Sequence, residues 1–130
     1  MVLGLTFDLL EENAVENYTC SVAQELPLMS TARYMHQSVI IKGKNNSWSL
    51  LVAGGKAGNR NWLNSVEILD LSPYFRPGQV KTDEEGKTQP VTSEWINCAP
   101  MQCARSNFAM IATTNFIYVY GGISGAGDGE

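Results

Sequence analysis

Groups able to do chemistry are sparse in this 130-residue chain. His36 is the single histidine, so the sequence offers no Ser–His–Asp or Cys–His arrangement that could be assembled into a relay. It sits just ahead of an apolar run and reads as a packed histidine rather than a base or a ligand. Cys20, Cys98 and Cys103 are an odd set, and the last two are five residues apart rather than at the C-x-x-C spacing of a redox or zinc motif. They read as ordinary reduced thiols of a cytosolic protein. Glu11, Glu12 and Glu16 could share one helical turn, with a solvated face as the plain explanation. His, Cys and carboxylate residues do not cluster at metal-ligand spacing, so no metal and no cofactor is expected. Two glycine-rich runs each follow an apolar stretch, Gly54-Gly55-Lys56-Ala57-Gly58 and Gly121 to Gly127. Neither has the G-x-x-x-x-G-K-[ST] order that cradles a phosphate. The chemistry in the chain favours binding over catalysis.

The elements that must position these residues are short. Helical periodicity is weak, and Ser, Asn, Gly and Pro punctuate the chain often. Ser38-Val39-Ile40-Ile41 and Trp48 to Ala53 read as strands around the breaker-rich turn Gly43-Lys44-Asn45-Asn46. The polar stretch Lys56–Trp62 leads to a third strand, Val66 to Leu71. Strand–turn–strand units at this spacing predict an antiparallel meander. From Ser72 to Glu94 the texture changes, with Pro73, Pro77, Gly78, Gly86, Pro90 and the acidic triplet Asp83-Glu84-Glu85. This predicts an exposed, mobile loop inserted at 72–94. Order resumes at Trp95-Ile96. Two more strands follow, Phe108 to Ala112 and Phe116 to Tyr120, and then a flexible Gly-rich tail at 123–130.

Charge and hydropathy narrow the partners. A formal net charge of -4, with only nine scattered Lys and Arg residues, argues against nucleic acid. No apolar run approaches the roughly 20 residues of a membrane span. The N-terminal stretch lacks a basic region and is interrupted by Asp8, which makes a poor signal peptide. The sequons at Asn17 and Asn45 carry little weight without one, and a cytoplasmic location is expected.

Self-similarity is the strongest signal. Leu28-Met29-x-x-Ala32-Arg33 matches Pro100-Met101-x-x-Ala104-Arg105, with Met and Arg both offset by 72 residues. A ring follows each Arg by three positions, His36 or Phe108. Each copy then runs through two strands to a Gly-Gly pair, Gly54-Gly55 or Gly121-Gly122. The glycine offset is 67, so the turn between paired strands is five residues shorter in the second copy. Arg33, His36, Gly54-Gly55, the run Leu63-Asn64-Ser65-Val66-Glu67-Ile68-Leu69-Asp70, Trp95 and Pro100-Met101 occur once in this order. Arg105 begins a second set that breaks off after Gly122. In this the chain resembles the kelch family of β-propellers, over roughly residues 26–122. The offset exceeds the kelch period of about 50 residues mainly through the 72–94 insertion. Thr6-Phe7-Asp8-Leu9, within residues 1–25, looks like the end of a preceding blade.

The resemblance implies an all-β fold of kelch-type blades, each a four-stranded antiparallel meander, forming an incomplete propeller. By that reading Gly-Gly permits close backbone approach at positive φ. Trp95 covers a blade face, while Arg33 and Arg105 bond loop carbonyls and stack on that ring. In kelch ligase adaptors, side chains just after Gly-Gly and two residues after the strand-leading Arg contact an acidic peptide. Lys56 and Asn107 have suitable chemistry at those positions, whereas Met35 departs from it. Arg60, Asn61 and Trp62 in the same loop add an Arg-aromatic pair of the kind enriched in binding hot spots. The expected function is a non-enzymatic protein–protein interaction scaffold, bound to a partner protein, to the remaining blades or to itself. The rival reading is a fragment of a propeller enzyme acting on a sugar or another small polar substrate.

Overall fold

The computed structural model describes residues 2–5, 20–24, 26–75 and 80–125. The chain is mostly antiparallel β-structure with almost no helix, and the described residues form no closed propeller. Val2–Leu5 (β1) pairs with Cys20–Gln24 (β2), a ladder the sequence pattern does not announce. Thr6 to Leu9, expected to end a preceding unit, lies outside the described residues.

The main sheet has four strands, adjacent in the order in which they follow along the chain. These are Gln37–Lys42 (β3), Trp48–Ala53 (β4), Val66–Asp70 (β5) and, beyond the insertion, Ile96–Cys98 (β8). Their registers are continuous, with Gln37 opposite Ala53, Ala53 opposite Val66 and Val66 opposite Cys98. Exposure alternates along β3 as a sheet face in contact with solvent requires. The β3–β4 turn takes three residues of 3₁₀ structure with Asn45 and Asn46 at positive φ, which asparagine tolerates better than most side chains.

Within the insertion expected as an exposed, mobile loop, the described residues form local structure. Ser72–Phe75 (α1) is one helical turn, and Val80–Thr82 (β6) pairs with Thr88–Pro90 (β7). Asp83 drives this hairpin, its carboxylate accepting hydrogen bonds from the Glu85 and Lys87 amides at 3.1 and 2.8 Å. That local closure needs no apolar burial, and residues 80–90 are all exposed. At the base of the insertion the Ser93 hydroxyl donates to Asp70 O at 2.5 Å, which returns the chain to β8.

Ala109–Ala112 (β9) and Ile117–Tyr120 (β10) form a separate two-stranded sheet. Its entry residue, Phe108, is 3% exposed and joins Leu51, Ala53 and Val66 in the core. Met110 and Val119 of the hairpin pack on the same cluster, as do Val39, Ile41, Ile68, Cys98 and Met101. Burial of the Phe108 ring contributes about 1.5–3 kcal/mol, so the second copy of the motif is fastened into the core of the first. Among the described residues no helix is long and apolar enough to cross a membrane.

Candidate functional site

The sequence repeat is reproduced in backbone detail. Met35 and Asn107, each two residues after its Arg, have φ of 55° and 53°. Tyr34 exchanges backbone hydrogen bonds with Lys56 at 3.0 and 2.8 Å, and Ser106 exchanges them with Ile123 at 2.9 and 2.8 Å. Gly54 and Gly121 have φ of 63° and 72°, and Gly55 and Gly122 have 90° and 93°. A Cβ at Gly55 would lie 2.6 Å from Tyr34 O, and one at Gly122 would lie 2.7 Å from Ser106 O. Glycine is required because the backbone passes too close for any side chain. Each Arg donates from Nη1 to the first glycine carbonyl, Arg33 to Gly54 at 3.0 Å and Arg105 to Gly121 at 2.8 Å. Ile123, the first residue of the expected flexible tail, is thus held in the fold.

Arg33 does more than bond loop carbonyls. Its guanidinium also reaches Ser65 O at 3.2 Å, Ser65 Oγ at 3.1 Å and the Glu67 carboxylate at 2.5 Å. Glu67 is fully buried and also accepts from the Ser30 amide at 2.8 Å and the Ser30 hydroxyl at 2.6 Å. Burial alone would raise its pKa. The Ser30 hydrogen bonds and the Arg33 charge outweigh that and hold it below the ordinary carboxylate value. His36 is half-buried, and its pKa is lowered by burial and by the Arg33 charge, against a smaller raising effect of a backbone hydrogen bond.

The stacking expected of Arg33 and Arg105 on Trp95 is not formed. The Trp95 indole instead donates to Pro27 O at 2.8 Å, and among the described residues the rings that carry a cation are Trp48, under Lys42, and Trp62, under Lys56. Arg33 is consumed by Glu67, a stronger partner than a ring face. Glu67 and Ser30 are the residues that sequence reasoning missed. The available signal was a carboxylate flanked by the apolar residues Val66, Ile68 and Leu69.

The loops after Arg33, Gly55 and Arg105 gather at one end of the sheet, because β3 and β9 start there while β4 and β10 finish there. Arg60, Asn61, Trp62, Gln102, Cys103, Ala104, Ser124 and Gly125 line a cavity of about 520 Å³ at this end. Lys56 Nζ lies 4.1 Å from the centre of the Trp62 ring, adding a second cation beside it. Asn107 is exposed but outside the cavity, its amide donating to Met35 O at 3.1 Å. Four of the five candidate residues therefore come together, and Asn107 stands apart. Cys98 and Cys103 are unbridged thiols, and among the described residues no three His, Cys, Asp or Glu side chains converge as metal ligands. No family model matches the chain, and neither a curated protein nor a solved structure matches it.

Proposed function

We propose that this chain is a protein–protein interaction scaffold built from kelch-type blades. Residues 37–98 make the strands of one four-stranded blade, and β9–β10 make the first half of the next. The supporting observation is the duplicated Arg-led turn, with its two paired bridges, its matched positive-φ positions and its two Gly-Gly exits. A repeat that fixes its loops by backbone hydrogen bonds leaves their side chains available for recognition. The binding surface is the loop end, where Arg60 and Lys56 flank the half-buried Trp62 beside an open cavity. Two cations around an aromatic wall suit an acidic peptide segment, with Arg bonding carboxylates and Trp supplying contact area. Such a partner is a protein, in a propeller or assembly larger than these two units.

The test is selection of acidic heptapeptides from a displayed library on the full chain. Selected peptides should lose at least about tenfold in affinity on Arg60→Ala or Trp62→Ala, as hot-spot truncations do. Arg60 is exposed, so its variant should remain folded. Peptides indifferent to both substitutions would remove the loop end as the binding surface.

A further inference from the structure

The insertion and the loop end carry opposite charge at opposite ends of the main sheet. β5 starts at the loop end, with Val66 opposite Ala53, and finishes at the far end, with Asp70 opposite Ser49. β8 returns from that far end, with Ile96 opposite Ile68 and Cys98 opposite Val66. The hairpin β6–β7 therefore leaves and rejoins the sheet away from the cavity, and none of residues 80–90 is among those that line it. Its turn holds Asp83-Glu84-Glu85, the only run of three acidic residues in the chain. Asp83 is spent on the Glu85 and Lys87 amides, whereas Glu84 and Glu85 are exposed and make no ion pair among the described residues.

The loop end is as firmly shaped as this turn. Lys56 is bridged to both Tyr34 and Trp62, the Ala57 amide donates to Asn61 O at 2.9 Å, and the Tyr34 hydroxyl donates to Gly58 O at 3.0 Å. Arg60 is exposed on this closed loop, and Lys56 lies over the Trp62 ring. A preformed acidic turn and a preformed basic loop lose little freedom on meeting. We infer that the loop end of one copy takes the hairpin tip of a second copy, with Glu84 and Glu85 against Arg60 and Lys56. This rests on the reading of the loop end as a site for acidic segments, and it names the occupant. Charge complementarity selects that occupant, with carboxylate–guanidinium hydrogen bonds as the strong contacts. Each contact joins two different patches, so copies either close a pair by exchanging both contacts or continue head to tail.

The test is the mass of the full chain in solution, followed by sedimentation velocity as its concentration rises. The parent should form dimers or longer species. Glu84→Lys with Glu85→Lys reverses the tip while leaving Asp83 to close the turn, and Arg60→Glu reverses the loop end at an exposed position. Each variant alone should lose at least about tenfold in association constant. Mixed in equal amounts, the two should form one-to-one dimers and nothing longer, since the intact tip of one meets the intact loop end of the other. Should the reversed tip fail to fold, Glu84→Gln with Glu85→Gln keeps its shape and should weaken association too. A monomeric parent, association unchanged in either variant, or a mixture no more associated than its components would each overturn the inference. Acidic heptapeptides that need Arg60, found beside a monomeric parent, would overturn it and leave the loop-end reading standing. Association lost in both variants and regained in the mixture, with no peptide dependent on Arg60, would support the second copy and remove the wider acidic-peptide reading.

Discussion

Arg33 and Glu67 form an ion pair with both side chains at 1% exposure or less, their nearest atoms 2.5 Å apart. Ser30 and Ser65 supply further hydrogen bonds to the pair, and Arg33 Nε is its one buried polar side-chain atom left without a partner among the described residues. A buried pair of this kind is costly to break rather than stabilising in itself, because removing one partner strands the other charge without water.

Glu67→Gln should therefore lower stability by about 3 kcal/mol or more at neutral pH, read from urea midpoints. The double variant Arg33→Met, Glu67→Leu should recover much of that loss, since it removes both charges at once. A loss below about 1 kcal/mol in the single variant would contradict the reading of Glu67 as a paired buried charge.

Acid should weaken the fold through two groups, His36 from about pH 6.5 downward and Glu67 from about pH 4.5 downward. His36 is lowered from its ordinary 6.5, so its neutral form is favoured in the folded state. Stability is then full above about pH 6.5 and declines as the pH falls toward the lowered folded value, where the unfolded chain takes up the proton first. Glu67 is lowered from 4.5, so its contribution is complete above that pH and is lost as the pH falls through its folded value. His36→Phe, which copies Phe108 of the second unit, should abolish the upper window and leave the lower. Urea midpoints measured from pH 8 to pH 3 check both, and an unchanged upper slope in the variant would count against the account of His36.

Strands β3, β4, β5, β9 and β10 and the duplicated unit were legible because alternation, turn residues and a fixed offset are local properties of the chain. Gly54-Gly55 and Gly121-Gly122 declared themselves since glycine takes the positive φ found there without steric cost. The Glu67 contact was illegible for the opposite reason: its partners lie 34 and 37 residues away, and a lone Glu in a strand reads as solvent-facing. The β6–β7 hairpin escaped notice because Asp83 stabilises it by polar capping, without the apolar alternation that marks a strand. Of the candidate site, Arg60, Asn61 and Trp62 were contiguous and easily grouped. Their cavity depends on Gln102 to Ala104 and on Ser124 and Gly125, which only the fold brings near.

Phe108→Ala should cost about 3–5 kcal/mol, the range for truncating a buried aromatic. Because Phe108 begins the second unit but packs with Leu51 and Val66 of the first, both sheets should melt together in the parent and separate in the variant. Hydrogen exchange of β4 and β9 amides measures this. Equal protection of the two strands after substitution would deny that Phe108 couples them.

The second unit docks on the first Gly-Gly pair, while among the described residues the equivalent space at Gly121 is open. A Cβ at Gly54 would lie 2.6 Å from Arg105 O, and the neighbouring Gly55 amide donates to that same oxygen at 2.9 Å. Gly121 has nearly the same φ, yet among the described residues nothing lies within 4 Å of its would-be Cβ. The most direct test is the stability of Gly54→Ala against Gly121→Ala. Gly121→Ala should cost only the left-handed backbone penalty of about 1 kcal/mol, and Gly54→Ala about 3 kcal/mol or more. Equal costs at the two positions would contradict the docking of one unit on the other.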